Sequence, residues 1–400
     1  MKYPTLYRMT QVDGLSIFYR EAGPKDAPRL LLLHGFPSSS RMFEPLFARL
    51  SDEYRLLAPD YPGFGHSDWP DPKQFAYTFD HIAEIMNHFT EVLGLSHYTL
   101  YIQDYGGPIG FRMALAHPER VDALIVQDAV AHNEGLGANW ATRRAFWTDR
   151  RAHEEALHEN LLSLTTTKTR HVGDDPKVEL YDPDLWGDEF AFLNAPGQLQ
   201  IQSDLFYDYR TNVTSYPQWR AWLEKTQPKL LILWGKHDLS FDPGEAERYR
   251  KDLPNAEVHI FDAGHFALDT KADEIAALIR QFMKNQKSTN AALVVGGETK
   301  SLLNKSIHGK ASSRGETSSP PAVQNAGSVG SFSGGNNDLG YQTVGVMALE
   351  HGPRCSSGDL YESVYLAITT VVQELLSLGK SRFAALRISR RGCSPRMIGQ

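Results

Sequence analysis

Three polar residues, Asp104, Asp238 and His265, each follow shortly after a segment predicted to be a buried β-strand. The carboxyl ends of strands meet at one edge of an open α/β sheet, so strand placement alone would gather these side chains. Their order along the chain suits a nucleophile, an acid and a histidine base. Taken singly, Asp238 could cap a helix and His265 could be a hydrogen-bonded core histidine. Taken together, at strand ends and in this order, they predict nucleophilic catalysis.

The first of the three residues lies on a predicted tight turn between a strand and a helix. The strand starts at Tyr98 and breaks at Asp104, and the glycines Gly106 and Gly107 precede a helical run that ends at His117. Glycine lacks a Cβ, so the backbone there can adopt strained angles while the helix packs close to the strand. The pattern predicts a nucleophile elbow with aspartate as the nucleophile; an ordinary βα turn with a capping aspartate is the alternative.

An aspartate nucleophile favours attack on a saturated carbon, because a carboxylate is a poor nucleophile for acyl transfer. Attack would produce an alkyl ester of Asp104. His265 would then activate water to hydrolyse the ester, while Asp238 fixes the imidazole tautomer. The segment His34-Gly35-Phe36-Pro37 follows another predicted strand. We expect the backbone N–H of Phe36, with that of Tyr105, to form an oxyanion hole for the second step.

The elements that must position these residues alternate between strand and helix. Residues 11–22 predict a β-hairpin, and helical periodicity is found in 43–50, 79–93, 108–117 and 273–284. Segments predicted as buried strands are 30–33, 54–58, 98–103, 123–126, 230–234 and 257–261. This alternation predicts an α/β fold with a mostly parallel, doubly wound sheet.

Composition changes along the chain predict four regions. Residues 1–131 and 228–285 form the two parts of the α/β core, and residues 132–227, which are rich in aromatic and charged residues, form a helical lid. Residues 286–400 are dominated by Ser, Gly, Asn and Thr over much of their length. Such a composition buries little apolar surface, so we expect a mostly disordered tail with a possible helix at 359–380.

Charge and cysteine content exclude several classes of function. The net charge of −7 provides no basic surface for nucleic acid. Both cysteines, Cys355 and Cys393, lie near the C-terminus, so the core has no disulfide framework or cysteine metal site. We find neither a secretory signal nor an apolar run of 18 residues, and we expect a cytoplasmic protein without a transmembrane segment. The oligomeric state stays open.

Residues 1–285 resemble the α/β-hydrolase superfamily, and in particular its aspartate-nucleophile branch of epoxide hydrolases and haloalkane dehalogenases. The matching segments are His34–Pro37, Asp60–Asp68, Gln103–Pro108, Gly235–Asp238 and Gly264–Phe266. The resemblance implies the α/β-hydrolase fold with a helical lid, and catalysis by Asp104, Asp238 and His265 without a metal or cofactor.

The resemblance also bears on the leaving group. Dehalogenases of this branch usually have tryptophan after the nucleophile and asparagine after the His-Gly pair, where this chain has Tyr105 and Phe36. The Phe36-Pro37 pair is more similar to epoxide hydrolases, which protonate the opening epoxide oxygen with lid tyrosines. Tyr209 is the candidate general acid. A second tyrosine could be Tyr207, Tyr181 or Tyr216, and Trp147 could bind halide instead.

These observations predict hydrolysis of a small apolar epoxide to a diol through an aspartyl ester, with water as the second substrate. The pocket is expected to include His34, Trp147 and Tyr207 beside the catalytic residues. Haloalkane dehalogenation is the alternative reaction. A hydrolase-fold protein without turnover, serving as a binding or biosynthetic auxiliary protein, is the alternative of another class.

Overall fold

The computed structural model describes residues 3–137 and 140–285, together with the short segments 385–387 and 396–398. The chain divides into two compact units, Met1–Ser312 and Ser313–Gln400. In the second unit, Ala385–Arg387 and Arg396–Ile398 form a two-stranded antiparallel sheet, which the sequence did not predict. The rest of the predicted tail, 286–400, and its possible helix at 359–380 lie outside the described residues.

The first unit is built on an eight-stranded sheet with the order β1-β2-β4-β3-β5-β6-β7-β8. Its strands are Leu6–Val12 (β1), Leu15–Ala22 (β2), Arg29–Leu33 (β3), Arg55–Pro59 (β4), Tyr98–Gln103 (β5), Val121–Gln127 (β6), Leu230–Gly235 (β7) and Glu257–Phe261 (β8). Strand β2 pairs antiparallel with β1 and β4, and every other neighbouring pair is parallel. The predicted fold class is therefore confirmed.

The helices of this unit follow the strands along the chain. They are Glu44–Leu50 (α1), Phe79–Val92 (α2), Gly106–Ala116 (α3), Ala141–Thr148 (α4), Arg150–Leu161 (α5), Leu164–Val172 (α6), Pro183–Leu193 (α7), Gln198–Asp208 (α8), Arg210–Thr226 (α9), Glu245–Asp252 (α10) and 268–285 (α11). Helix α10 was not predicted because it buries only three residues, Glu245, Ala246 and Tyr249, and so has little apolar periodicity.

The sheet is covered on both faces, which explains its continuous apolar strands. Successive residues of β3 point to opposite faces: Leu31 and Leu33 belong to one hydrophobic cluster, and Leu30 and Leu32 belong to the other. Both clusters are well buried, as expected for a parallel sheet between helical layers. The strand ends that carry polar residues are thereby held in a rigid frame.

Helices α4 to α9 lie between β6 and β7 in the chain and contribute the aromatic residues noted in the sequence. The Phe206 ring of α8 meets the Phe36 ring edge-on at 4.9 Å, so this helical region packs over the loop after β3. Among the described residues, no helix is both long and apolar enough to span a bilayer.

Candidate active site

Asp104 lies on the strained turn predicted from the glycines that follow it. Its φ angle is +46°, which a non-glycine residue adopts only under constraint. A Cβ at Gly106 would come within 2.1 Å of the Leu33 carbonyl oxygen, and one at Gly107 within 2.9 Å of the Ala129 Cβ. Glycine is therefore required for α3 to start this close to the sheet.

Two backbone N–H groups point at the Asp104 carboxylate, as an oxyanion hole requires. The Phe36 N–H donates to Asp104 Oδ1 at 2.7 Å, and the Tyr105 N–H also hydrogen-bonds to this carboxylate. Gly35 permits the approach, because a Cβ there would lie 2.5 Å from the Asp104 Cβ. The structure thus brings together the two residues predicted for the oxyanion hole.

The predicted acid and base lie next to the nucleophile. His265 Nδ1 is 2.9 Å from Asp238 Oδ2, and His265 Nε2 is 3.7 Å from Asp104 Oδ2. The other Asp238 oxygen accepts the backbone N–H groups of Ser240 and Phe241, at 2.6 and 3.1 Å, which holds the acid in place. The amide Nε2 of Gln103 lies 3.0 Å from His265 Nε2. A neutral imidazole protonated at Nδ1 satisfies both contacts, and this is the tautomer that a general base needs.

Burial and charge set the protonation of these groups. Burial raises the pKa of Asp104 above its usual value, although His265 and the N–H groups of Phe36 and Tyr105 oppose this shift. Burial works against a charged imidazole, but Asp238 and then Asp104 outweigh it and raise the pKa of His265. The pKa of Asp104 therefore depends on the charge of His265, and the pKa of His265 depends on the charge of Asp104.

Asp128, which sequence reasoning missed, lies directly after β6 and beside the predicted acid. Its Oδ1 accepts the Gly235 N–H at 2.9 Å, and its carbonyl accepts the Asp104 N–H at 3.3 Å. Burial, followed by the charge of Asp238, raises the pKa of Asp128 well above its usual value. The strand-end rule that selected Asp104 and Asp238 would also have selected Asp128.

Tyr209, the predicted general acid, is buried among aromatic rings near the nucleophile. Its ring lies 6.1 Å from the Tyr105 ring and 4.6 Å from the Trp140 ring. Burial, followed by the neighbouring Tyr216 and by Asp104, holds the pKa of Tyr209 well above its usual value. The hydroxyl is therefore a proton donor at neutral pH. Tyr105 also keeps its proton, because burial and Asp104 raise its pKa in the same direction.

Two other residues predicted for the pocket, His34 and Tyr207, contact neighbouring side chains and backbone groups of the protein. His34 is fully buried and stacks on Tyr61 at 4.0 Å, and burial lowers its pKa to about 4. Its imidazole nitrogens hydrogen-bond to the backbone of Gly35 and Tyr61, so the ring supports the loop after β3. The ring of Tyr207 contacts Phe146.

Two further candidates for the leaving group, Trp147 and Tyr181, are already engaged in hydrogen bonds. The Trp147 indole N–H donates to the Phe206 carbonyl at 2.7 Å. The Tyr181 hydroxyl lies 2.9 Å from Asp175 Oδ2 and accepts the Gly264 N–H. Neither group is directed at Asp104 by these bonds.

Two arginines of the helical region, Arg143 and Arg170, lie close enough to Asp104 to shift pKa values in the site. Arg170 lowers the pKa of Asp104, although burial has the larger, opposite effect. Burial is also the main cause that lowers the pKa of Arg143, while Tyr105 and Asp104 oppose it. The sequence offered no signal for them, since Arg143, Arg144, Arg150 and Arg170 are equivalent by residue type.

Two clusters in the described part of the chain have ligand-type atoms close together. Asp128, Asp238 and His265 form one cluster, with atoms within 4.8 Å of one another. The other contains Asp262, which is paired with Lys177 at 2.9 Å and with Lys236 at 2.7 Å. In the first cluster, hydrogen bonds already occupy the Asp238 and His265 atoms; in the second, two cations already neutralise Asp262. The chemistry proposed from the sequence needs neither site.

Comparison with known proteins identifies the family of this fold. Residues 28–272 match the family described as alpha/beta hydrolase fold. The chain belongs to this family. The hydrolase YNR064C of Saccharomyces cerevisiae, which is uncharacterized, is 35% identical over 278 residues, covering 68% of this chain and 95% of that protein.

Other α/β hydrolases among its relatives have named activities. Epoxide hydrolase 2 of Caenorhabditis elegans is 25% identical over 291 residues, covering 69% of this chain and 79% of that protein. The crystal structure of haloalkane dehalogenase DbeA from Bradyrhizobium elkani shares the fold with a TM-score of 0.60 at 20% identity, covering 72% of this chain and 100% of that one. This α/β hydrolase thus has an epoxide hydrolase among its relatives and shares its fold with a haloalkane dehalogenase, the two kinds of enzyme expected for the aspartate-nucleophile branch.

Proposed function

We propose that this hydrolase opens epoxides to diols through a covalent ester of Asp104. The observation that carries the proposal is that the two oxygens of the Asp104 carboxylate have different contacts. Oδ1 accepts the Phe36 N–H at 2.7 Å, while Oδ2 lies 3.7 Å from His265 Nε2. One oxygen is therefore held as the future ester carbonyl, and the other is free to attack carbon.

In the first step, Asp104 Oδ2 attacks an epoxide carbon in line with the breaking C–O bond. The C–O bond electrons pass to the epoxide oxygen, which takes the proton of a tyrosine. Tyr209 is the proposed donor, because its hydroxyl is protonated and its ring lies among the rings next to Asp104.

In the second step, His265 Nε2 removes a proton from water, which attacks the carbonyl carbon of the ester. Negative charge then develops on Oδ1, where the Phe36 and Tyr105 N–H groups already point. Asp238 stabilises the imidazolium through its 2.9 Å contact with Nδ1. When the intermediate collapses, the departing alkoxide takes the proton from the His265 imidazolium to complete the diol. The Asp104 carboxylic acid then loses its proton to the Tyr209 phenolate left by the first step, which restores both groups.

Haloalkane dehalogenation has less support from the contacts around Asp104. A departing halide needs hydrogen-bond donors, and the indole N–H groups of Trp140 and Trp147 both donate to backbone carbonyls at 2.7 Å. A tyrosine hydroxyl suits a departing alkoxide better, since it can transfer a proton to it.

The test uses purified Asp104→Asn and His265→Gln variants with a panel of epoxides and haloalkanes. We expect Asp104→Asn to lose turnover by on the order of 10⁴-fold. His265→Gln should accumulate enzyme whose intact mass has increased by that of the substrate. Tyr209→Phe should slow formation of this ester with epoxides, and release of diol or halide identifies the substrate class.

Asp122→Asn and His259→Gln are matched controls on the same sheet and should keep full activity. Full turnover by Asp104→Asn would refute the ester mechanism. Absence of turnover on the whole panel, together with tight binding of an epoxide, would instead support the non-hydrolytic auxiliary function.

A further inference from the structure

Two buried cations lie near enough to the nucleophile for their charges to act on it, although the sequence predicted apolar surroundings there. Arg170 and Arg143 are only 5% and 8% exposed. The Arg170 Cζ lies 4.6 Å from the centre of the Phe36 ring. Phe36 is also the residue whose backbone N–H binds Asp104. The Arg143 Cζ lies 4.3 Å from the centre of the Trp140 ring and 5.7 Å from that of Phe206. Both guanidinium groups therefore rest on rings that surround the site.

Arg170 has unused hydrogen-bonding capacity at this buried position. Its Nη2 donates to the Leu161 carbonyl at 2.6 Å, whereas its buried Nη1 has no hydrogen-bond partner. Among the residues that the structure describes, no carboxylate lies within ion-pairing distance of Arg170. A buried guanidinium without a counter-ion is costly, so the position calls for an anion from elsewhere.

The two arginines also share one cavity. It has a volume of about 380 Å³, and Asp104 is not among its lining residues. The lining includes Arg143, Arg170 and Ser240, and the Ser240 N–H binds Asp238. Burial, followed by repulsion from Arg143, lowers the pKa of Arg170 to about 10. An anion bound between the two guanidinium groups would relieve this repulsion.

Asp104 does not fill the role of that anion. Its Oδ1 is held by the Phe36 N–H and its Oδ2 faces His265, and its charge disappears when the ester forms. The charge that Arg170 requires must persist through both chemical steps. A permanently ionised group on the substrate meets this requirement.

We propose that the substrate is an epoxide bearing a carboxylate, which Arg170 and Arg143 bind while Asp104 attacks the ring. Guanidinium donors match the planar geometry of a carboxylate, and a bond between two charged groups is stronger than one between neutral groups. This inference rests on the proposed function, because it names the substrate class of the same site. The carboxylate takes no part in bond making or breaking.

The test compares oxirane-2-carboxylate with oxirane-2-carboxamide, which has nearly the same shape but no charge. We expect wild-type kcat/KM to favour the acid by about 10- to 100-fold, as for a charge-assisted hydrogen bond. Arg170→Met should remove most of this preference, chiefly through KM, and Arg170→Lys should restore part of it. Arg144→Met is the matched control, since Arg144 adjoins Arg143 but bonds Asn133 at 3.1 Å, and it should keep the preference.

A binding measurement covers the case in which an arginine variant fails to fold. Wild-type protein titrated with cyclopropanecarboxylate, an unreactive analogue, should bind it at least about 10-fold more tightly than cyclopropanecarboxamide. Equal turnover of the acid and the amide, or equal binding of the two analogues, would overturn the inference but leave the ester mechanism intact. Failure of both epoxides to leave a mass increase on His265→Gln, with the acid analogue still preferred, would instead refute the proposed function.

Discussion

At the scale of single residues, the proposed reaction moves one negative charge away from Asp104. In the free protein, Asp238 and Asp104 both raise the pKa of His265 against the effect of burial. Ester formation removes the Asp104 charge, so that Asp238 is the one carboxylate of the described residues still in contact with the His265 imidazole. The base therefore faces a different electrostatic environment in each of the two steps.

This difference predicts a specific pH dependence. His265 must be neutral to deprotonate water, so ester hydrolysis should fail as the pH falls through the pKa of His265 in the ester. Without the Asp104 charge, the pKa of His265 is lower in the ester than in the free protein. The acidic limb of the pH–rate profile for ester hydrolysis should therefore lie below the pKa of His265 in the free protein. The measurement is the decay of the ester in single-turnover, acid-quenched samples from about pH 5 to about pH 9, beside an NMR titration of His265 in free protein.

Asp238→Asn serves as the control for this profile. Removing the second charge should displace the limb to still lower pH, with slower hydrolysis throughout. A limb at or above the pKa of His265 in the free protein would show that the Asp104 charge does not act on the base.

At the scale of secondary-structure elements, a buried ionic triad joins the helical region to the core. His171 of α6 lies 2.8 Å from Glu189 of α7 and 2.8 Å from Asp269 of α11. Burial opposes the charged imidazole, but Glu189 and Asp269 outweigh it and raise the pKa of His171 to about 10. The imidazolium thus holds two carboxylates that would otherwise repel each other.

We predict that His171→Gln reduces the free energy of unfolding by about 3 kcal/mol at neutral pH, because it leaves two buried carboxylates without a cation. Urea unfolding followed by circular dichroism measures this loss. The variant His171→Gln/Glu189→Gln/Asp269→Asn, which removes all three charges, should be more stable than His171→Gln alone.

The same triad predicts how stability changes with pH. A histidine whose folded pKa is raised contributes stability that is complete below the unfolded value of about 6.5, and the contribution is lost as the pH rises through about 10. Wild-type protein should therefore lose stability across this interval, and the uncharged triple variant should lose less. Parallel slopes for the two proteins would exclude a stabilising role for the His171 charge.

At the scale of the whole molecule, the candidate site lies entirely within the first compact unit, Met1–Ser312. Its residues extend from Phe36 to His265, and the family match ends at residue 272. We predict that a chain ending at Ser312 keeps its kcat/KM within about twofold of that of the full chain. Its melting temperature should lie within about a few degrees of that of the full chain. Turnover of the preferred epoxide and thermal unfolding measure this directly, and a large loss of either would assign residues 313–400 a role in the site or its stability.

The sequence by itself determined the α/β core and the residues at its strand ends. Strand β3 was predicted from an apolar run of Leu residues, and Asp104 from the glycines that follow it, because these signals are local. Strand ends of a parallel sheet converge whatever the rest of the chain does. The approach of Asp104, Asp238 and His265 therefore followed from their order and spacing.

Only the tertiary structure decided which side chains of the helical region face the nucleophile. Helices α4 to α9 carry aromatic and charged residues on several sides, so periodicity does not separate inner from outer positions. Tyr207 and Tyr209 are two positions apart, yet only Tyr209 packs against Tyr105, and Arg143 is buried while its neighbour Arg144 is only half-buried. These assignments depend on how the helices dock on the core, and that docking arises from contacts between residues far apart in the chain.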